Sequence, residues 1–226
     1  MIIRAVQKLS VVDYPGLLCA TVFTPGCNLR CPFCHNGTLV LDDEPNVSEQ
    51  VVFDFLGTRK NKLDAVCLSG GEPLLQKGVE AFLRKVKDMG FKTKLDTNGT
   101  KPQYLKELLE SGVVDYVAMD IKNSPAKYAE TVGVKAFSLK PVYESINIIK
   151  SSGVDYEFRT TVTKTFHDEK SLAEASHMIE DAAVWYLQTY RESENVIDKS
   201  VEGYSEEEMK CLCENLRKAV PFVRLR

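Results

Sequence analysis

No run in this 226-residue chain approaches the roughly 18 consecutive apolar residues that a bilayer-spanning helix needs. Nor does the opening stretch MIIRAVQKLSVVDYPG, residues 1–16, carry a long apolar core followed by a small-residue cleavage site. Membrane insertion and secretion are therefore not expected, and the cytoplasm is. An excess of basic charge is missing too: 29 Lys and Arg stand against 32 Asp and Glu, a formal charge of -3. A chain with no global positive field is not expected to bind bulk nucleic acid. Repeats and low-complexity segments are absent from the sequence, and residues 1–226 are expected to form one domain.

Cysteine, by contrast, is present in an odd number, seven, and is clustered rather than spread. In a chain of this size, with 44% hydrophobic residues to bury, an odd and uneven set argues for metal or redox chemistry over a disulfide framework.

Short β-rich runs at 17–23, 64–70, 91–96, 114–121, 155–163, 183–188 and 222–226 alternate with helical patterns near 48–58, 76–89, 102–111, 141–151, 169–180 and 205–219. Strand-helix alternation of this kind predicts an α/β fold with a parallel sheet or barrel. Within the run at 155–162, Tyr156, Phe158, Thr160 and Val162 share one face. Asp155, Glu157, Arg159 and Thr161 share the other, because strand side chains alternate with period two. One side of the sheet is thus expected to be polar, as a lumen holding a charged ligand would be. Residues 190–204, polar and without periodicity, are expected as a surface connection that could act as a flap.

The stretch TPGCNLRCPFCHN, residues 24–36, places Cys27, Cys31 and Cys34 within eight residues and supplies no clear fourth ligand. Three readings compete. Structural zinc prefers four closed ligands, and His35, adjacent to Cys34, is poorly placed to complete the same tetrahedron. A redox pair formed by Cys31 and Cys34 leaves Cys27 without a role. A 4Fe-4S cluster ordinarily takes one cysteine per iron, so three cysteines leave one iron open to bind another molecule directly. On the last reading the missing ligand is the functional feature.

C-x3-C-x2-C with an aromatic residue, Phe33, before the last cysteine resembles the signature of radical S-adenosylmethionine enzymes. In that family the methionine end of S-adenosylmethionine chelates the fourth iron, and the reduced cluster cleaves the sulfonium to a 5'-deoxyadenosyl radical. Further stretches carry the likeness along the chain. SGGEP (69–73) reads alone as a tight turn, but beside the cysteines it resembles the family's GGE motif. That resemblance implies that Gly70, Gly71 and Glu72 bind the cofactor's amino group. LDTNG (95–99) and AMDIK (118–122) end the next two strands; each alone reads as ordinary polar strand-end sequence. Together they resemble the glycyl-radical-enzyme activases. The resemblance implies that Asp120 and Lys122 contact the cofactor's ribose and carboxylate, and that Asp96, Thr97 and Asp120 lie near its methionine end. Arg159, on the polar strand face, is expected among the cofactor-binding residues.

VVDYPG (11–16) matches the V-D-x-P-G of the same branch. The implied fold is an incomplete (β/α)6 barrel of parallel strands, with the open side taking a partner polypeptide. The implied activity is installation of a glycyl radical, with a 4Fe-4S cluster and S-adenosylmethionine as cofactors. The implied partners are anaerobic ribonucleoside-triphosphate reductase and an electron donor of flavodoxin or ferredoxin type. Activation of pyruvate formate-lyase or another glycyl radical enzyme is the alternative within the branch. Outside it stand a small-molecule radical reaction, an iron-sulfur electron carrier and a zinc-stabilised binding module. Two departures matter: no second cysteine cluster follows Cys34, and residues 186–190 read YLQTY where formate-lyase activases carry a proline-tyrosine-histidine segment, leaving Gln188 as a weak substitute for the histidine.

Other residues take plainer readings. Cys19 and Cys67 lie in apolar strand runs and are expected in the core. Cys211 and Cys213, two residues apart on a helix, are turned about 200° from each other, so Cys213 is expected inside and Cys211 outside. Ser205 is expected to cap that helix, with acidic residues in its first turn. His167 and His177 are expected on the surface, and Trp185 in the core.

Overall fold

Apolar runs that read as strands in the sequence lie side by side in one eight-stranded sheet ordered β1 to β8. The computed structural model describes residues 1–41 and 45–226. The strands are β1 (Ala5–Ser10), β2 (Cys19–Thr24), β3 (Ala65–Gly70), β4 (Lys92–Thr97), β5 (Tyr116–Asp120), β6 (Asp155–Val162), β7 (Trp185–Thr189) and β8 (Val223–Leu225). From β2 to β8 every pairing is parallel, whereas β1 runs antiparallel to β2 at one edge. Helices α1 (Gly37–Leu41), α2 (Glu49–Gly57), α3 (Val79–Asp88), α4 (Pro102–Glu110), α5 (Tyr128–Thr131), α6 (Lys140–Ser151), α7 (Glu169–Ser176) and α8 (Glu206–Arg217) fill the connections. The parallel strands form six strand-helix units closed by β8, with β1 and β8 left as edges. An incomplete (β/α)6 barrel is therefore what the chain builds.

Local sequence explains most of these elements. The helix α3 buries Val79, Phe82, Leu83 and Val86, positions i, i+3, i+4 and i+7, which keeps one face inward. Ser205 accepts from the Glu208 amide while the Glu208 side chain returns the bond, a full capping box. On that helix Cys213 is buried and Cys211 exposed, as their angular separation requires. Cys19, Cys67 and Trp185 are fully buried, and the Trp185 indole donates to Thr160 Oγ1 at 2.9 Å. β1 went unread because Gln7, Lys8 and Leu9 are exposed in succession, which blurs the alternation.

Parallel register aligns the lumen in layers. Cys67, Lys94 and Tyr116 stand level; Ser69 follows Cys67 on β3, and Asp96 follows Lys94 on β4, two residues further on. Asp120 lies level with Arg159, and Thr161 with Gln188. The polar face expected of β6 is real, with Arg159 and Thr161 reaching a central cavity. Of its other two members, Asp155 is exposed, whereas Glu157 is fully buried and holds the Arg226 guanidinium through two bonds of 2.8 and 2.7 Å.

Residues 190–204 are irregular and largely exposed, yet they are strapped along the cysteine loop. Ile197 N donates to Cys34 O at 3.3 Å, Asp198 N to Pro32 O at 2.9 Å and Gly37 N to Asn195 O at 3.0 Å. Tyr190, Val196 and Val201 are buried beneath the strap.

His177 is exposed, but His167 corrects the surface reading: it is 2% exposed. Its Nε2 lies 2.8 Å from Lys122 O, and its Nδ1 accepts from Thr163 N at 3.2 Å, so the ring is neutral with its proton on Nε2. Burial pushes its pKa down to about 4. An unfolded histidine titrates near 6.5, so between about pH 4 and 6.5 the unfolded chain binds a proton that the folded chain refuses. Stability is thus expected to be full above pH 6.5 and to fall with pH through that window, by about 3 kcal/mol in all. Urea midpoints at pH 7 and 5 check this: His167→Gln should lower the first and shrink the difference between them, and an undiminished difference would refute the assignment.

Candidate active site

The loop from Pro25 to Asn36 leaves the end of β2 and crosses the carboxyl ends of the neighbouring strands. It is held by main-chain bonds: Gly26 N donates to Leu39 O at 2.8 Å, Arg30 N to Val132 O at 2.9 Å and Cys34 N to Cys31 O at 3.0 Å. The glycine pair after β3 seats this loop. A methyl group at Gly71 would sit 2.0 Å from the Gly26 carbonyl oxygen, and Gly70 has φ 132°, a conformation side chains rarely adopt. In return Glu72 N donates to Gly26 O at 2.8 Å.

Cys27, Cys31 and Cys34 line a cavity of about 370 Å³ together with Phe33, Gly70, Gly71, Asp96, Thr97, Asp120, Lys122 and Arg159. Residues predicted from separate motifs thus meet in one place. Glu72 is the exception. It is fully buried, outside the cavity lining, and accepts from Leu74 N at 3.1 Å, Thr97 Oγ1 at 2.8 Å and Asn98 N at 2.7 Å. Burial pushes its carboxyl up to about 7 despite those three donors. Glu72 therefore joins the end of β3 to the end of β4, a role the motif alone does not reveal.

On the lumen face, opposite charges alternate along a chain. Lys94 Nζ donates to Asp96 Oδ1, and Arg159 Nη1 reaches Asp96 Oδ2 at 3.2 Å. Arg159 Nε meets Asp120 Oδ1 at 3.1 Å, and Lys122 Nζ meets Asp120 Oδ2 at 2.9 Å. Ser69 Oγ adds a donor to Asp96 at 3.1 Å. Burial alone would raise the Asp120 carboxyl, but Lys122 and Arg159 outweigh it and hold it down at about 2. Asp96 is likewise held below the usual range, burial being overcome by Arg159 and Lys94. Within this ion chain three cations stand against two anions, while Asp13 brings a further carboxylate to the cavity lining.

Burial raises all three thiols, Cys31 to about 12, while the Lys122 charge opposes the rise. Such sulfurs stay protonated until a positive centre replaces the protons. Among the described residues no three His, Cys, Asp or Glu side chains converge on a single ion. Thiolates that bind separate irons of one cluster need not share a point, and three sulfur donors lining one cavity fit such a cluster.

Sequence reasoning missed Lys94, Asn98, Asp13 and Thr21. Lys94 and Asp96 sit two apart on one strand, so alternation from Asp96 is the signal that places Lys94 on the same face. Asn98 was visible only as a turn residue. Asp13 accepts from Thr21 Oγ1 at 2.6 Å at the cavity edge near Gln7. Gln188 lines the cavity, as does His35.

Comparison with known proteins agrees with this geometry. The model of the radical SAM superfamily matches residues 21–182. A provisionally named glycyl-radical enzyme activating enzyme of Methanocaldococcus jannaschii is 33% identical over 196 residues, covering 84% of this chain and 80% of its own. The pyruvate formate-lyase-activating enzyme of Listeria monocytogenes is 36% identical over 138 residues, 56% of this chain and 55% of that protein. Among solved structures, SuiB of Streptococcus suis bound to S-adenosylmethionine superposes with a TM-score of 0.70 at 16% identity, over 91% of this chain and 51% of that one. A family match that spans the cysteine loop and most of the strand ends lining the cavity makes this chain a member of the radical SAM superfamily, whose cofactors are a 4Fe-4S cluster and S-adenosylmethionine.

Proposed function

We infer that this radical SAM enzyme is an activating enzyme that generates a glycyl radical on a larger protein, and that the target is anaerobic ribonucleoside-triphosphate reductase. The observation that carries the reading is the convergence of three cysteines and a buried ion chain on one cavity beside an open sheet edge. The relatives named as activating enzymes support the reaction class. The reductase as target rests on the V-D-x-P-G stretch and on the lack of a second cysteine cluster after Cys34. Pyruvate formate-lyase is the second reading, favoured by the Listeria similarity.

Cys27, Cys31 and Cys34 would hold the cluster, leaving one iron without a protein ligand. When bound, the cluster and S-adenosylmethionine supply a carbon radical able to take a hydrogen atom from glycine Cα. Gly70 and Gly71 present main-chain groups to the cofactor's amino group. Asp120 and Lys122 would contact its ribose and carboxylate, with Arg159 bound to Asp120 and Asp96 beside them. A protein-sized target accords with an exposed apolar pair, Val11 and Val12 at 69% and 66%, which directly precedes Asp13 of the cavity lining. A glycine in a flexible loop suits the site because it has no Cβ to block close approach, and hydrogen transfer needs the reacting atoms about 3–3.5 Å apart. One electron per turnover comes from a flavodoxin- or ferredoxin-type donor. The cytoplasm is the proposed setting, since cysteines that hold a cluster have to stay reduced.

Three outcomes are expected. Anaerobic reconstitution should give one cluster per chain by iron and sulfide analysis, lost in Cys27→Ala, Cys31→Ala or Cys34→Ala and kept in Cys211→Ala and Cys213→Ala; iron lost from either of the last two would sink the ligand assignment. Lys122→Met removes a charge-assisted contact while Arg159 still compensates Asp120, so calorimetry should show S-adenosylmethionine affinity reduced roughly 10- to 150-fold at unchanged iron content. Unaltered affinity would make Lys122 structural. Finally, the reduced protein mixed with S-adenosylmethionine and the reductase should give a doublet EPR signal on the reductase, absent when its radical-site glycine is alanine. A signal only on formate-lyase would move the target, and cofactor turnover with no protein radical on either would refute the activase reading.

A further inference from the structure

Asn98 follows β4, and its side-chain amide meets the first of the three cysteines. Asn98 Nδ2 donates to Cys27 Sγ at 3.7 Å, and Leu29 N donates to the same sulfur at 3.4 Å. The direction of the amide is fixed by its surroundings. Thr100 N donates to Asn98 Oδ1 at 3.0 Å, and a backbone N–H can only donate, so the oxygen faces Thr100 and the NH2 group faces the sulfur. A closed ring of bonds agrees with that polarity. Thr100 Oγ1 donates to Asn98 Oδ1 at 2.6 Å, Asn28 Nδ2 donates to Thr100 Oγ1 at 2.9 Å, and Asn98 Nδ2 donates to Asn28 Oδ1 at 3.0 Å. Because Asn28 directly follows Cys27, the ring ties the turn after β4 to the cysteine loop. The Asn98 main chain is pinned from below by the buried Glu72 carboxylate, which accepts from Asn98 N at 2.7 Å.

Hydrogen bonds to cluster sulfurs draw charge away from the iron and ease reduction, one of the main controls a protein has over cluster potential. We propose that Asn98 is a positioning residue that raises the reduction potential of the cluster through Cys27, with Glu72 and the Asn28–Thr100 ring keeping its amide turned toward the sulfur. The inference rests on the cluster assignment made under Proposed function. It gives the third residue of the GGE stretch a task in this chain that requires no contact with cofactor: Glu72 fixes the donor, and the donor acts on the ligand.

The test uses the whole chain, anaerobically reconstituted with iron and sulfide and without S-adenosylmethionine, and reads the midpoint potential by EPR-monitored redox titration. Asn98→Leu keeps the side chain's size and removes the donor. Its reduction equilibrium constant should fall about fivefold, a shift of about 40 mV to lower potential at about 59 mV per tenfold for a one-electron couple. Asn98→Asp retains the oxygen that Thr100 N binds and brings a negative charge to the sulfur, so its potential should fall at least as far. Ser145→Ala removes the 2.8 Å bond from Ser145 Oγ to Gly99 O, disturbing the same turn without touching sulfur, and should leave the potential unchanged. Wild-type potential in both Asn98 variants overturns the proposal, as does a Ser145→Ala shift as large as that of Asn98→Leu. Loss of the cluster from both Asn98 variants with Ser145→Ala fully loaded overturns it too, because the amide would then build the site rather than tune it. A wild-type chain that assembles no cluster would be a different failure, that of the cluster assignment itself.

Discussion

Five ionised side chains, Lys94, Asp96, Arg159, Asp120 and Lys122, occupy the concave face of one sheet, and each carboxylate there is shared between two cations. An isolated charge in such a place would carry a desolvation cost of several kcal/mol, and removing one member of a buried pair typically costs about 3–5 kcal/mol. Sharing resolves this. The guanidinium of Arg159 bridges the ends of β4 and β5 from β6, so three strands are tied at the level where a ligand would rest. Fixed dipoles and charges of this kind need little rearrangement when a charged ligand arrives, which is the condition under which electrostatics serve chemistry best.

The cysteine loop depends on that platform in a different way. It has little regular structure, and main-chain bonds to α1, to the turn after α5 and to the residues between β7 and α8 hold it. Its three cysteines line the cavity, where burial keeps the thiols protonated and Lys122, from the ion chain, opposes that rise in part. The positive end of the ion chain and the thiol donors are thus neighbours, and a ligand that bridges them is oriented by both.

Much of this was legible in the residues. Parallel strands announced themselves as short apolar runs between helical patterns, and the alternation in 155–162 marked Arg159 and Thr161 as facing a polar interior. The spacing of Cys27, Cys31 and Cys34, taken with the family resemblance, points to a cluster with one open iron. What stayed hidden depended on partners far along the chain. His167 sits in the polar string TFHDE, and its buried place depends on the Lys122 carbonyl, 45 residues away in sequence, as well as on Thr163 N. Glu72 reads as a cofactor ligand by motif, yet its acceptors are used by Thr97 and Asn98, which no local pattern announces. Lys94 in KTKLD resembles a solvated strand residue until register sets it beside Cys67 and Tyr116.

The strap at residues 190–204 has a consequence for how this protein can diverge over generations. Its hold on the cysteine loop uses the amides of Ile197 and Asp198 and the carbonyl of Asn195, groups that every residue except proline supplies in full. Side chains along its exposed stretches are therefore free to drift without loosening the loop beneath, provided the apolar anchors Tyr190, Val196 and Val201 stay buried. Related chains that serve different partners could vary this segment widely in sequence and still keep its path, and proline at position 197 or 198 is the change that inheritance should avoid.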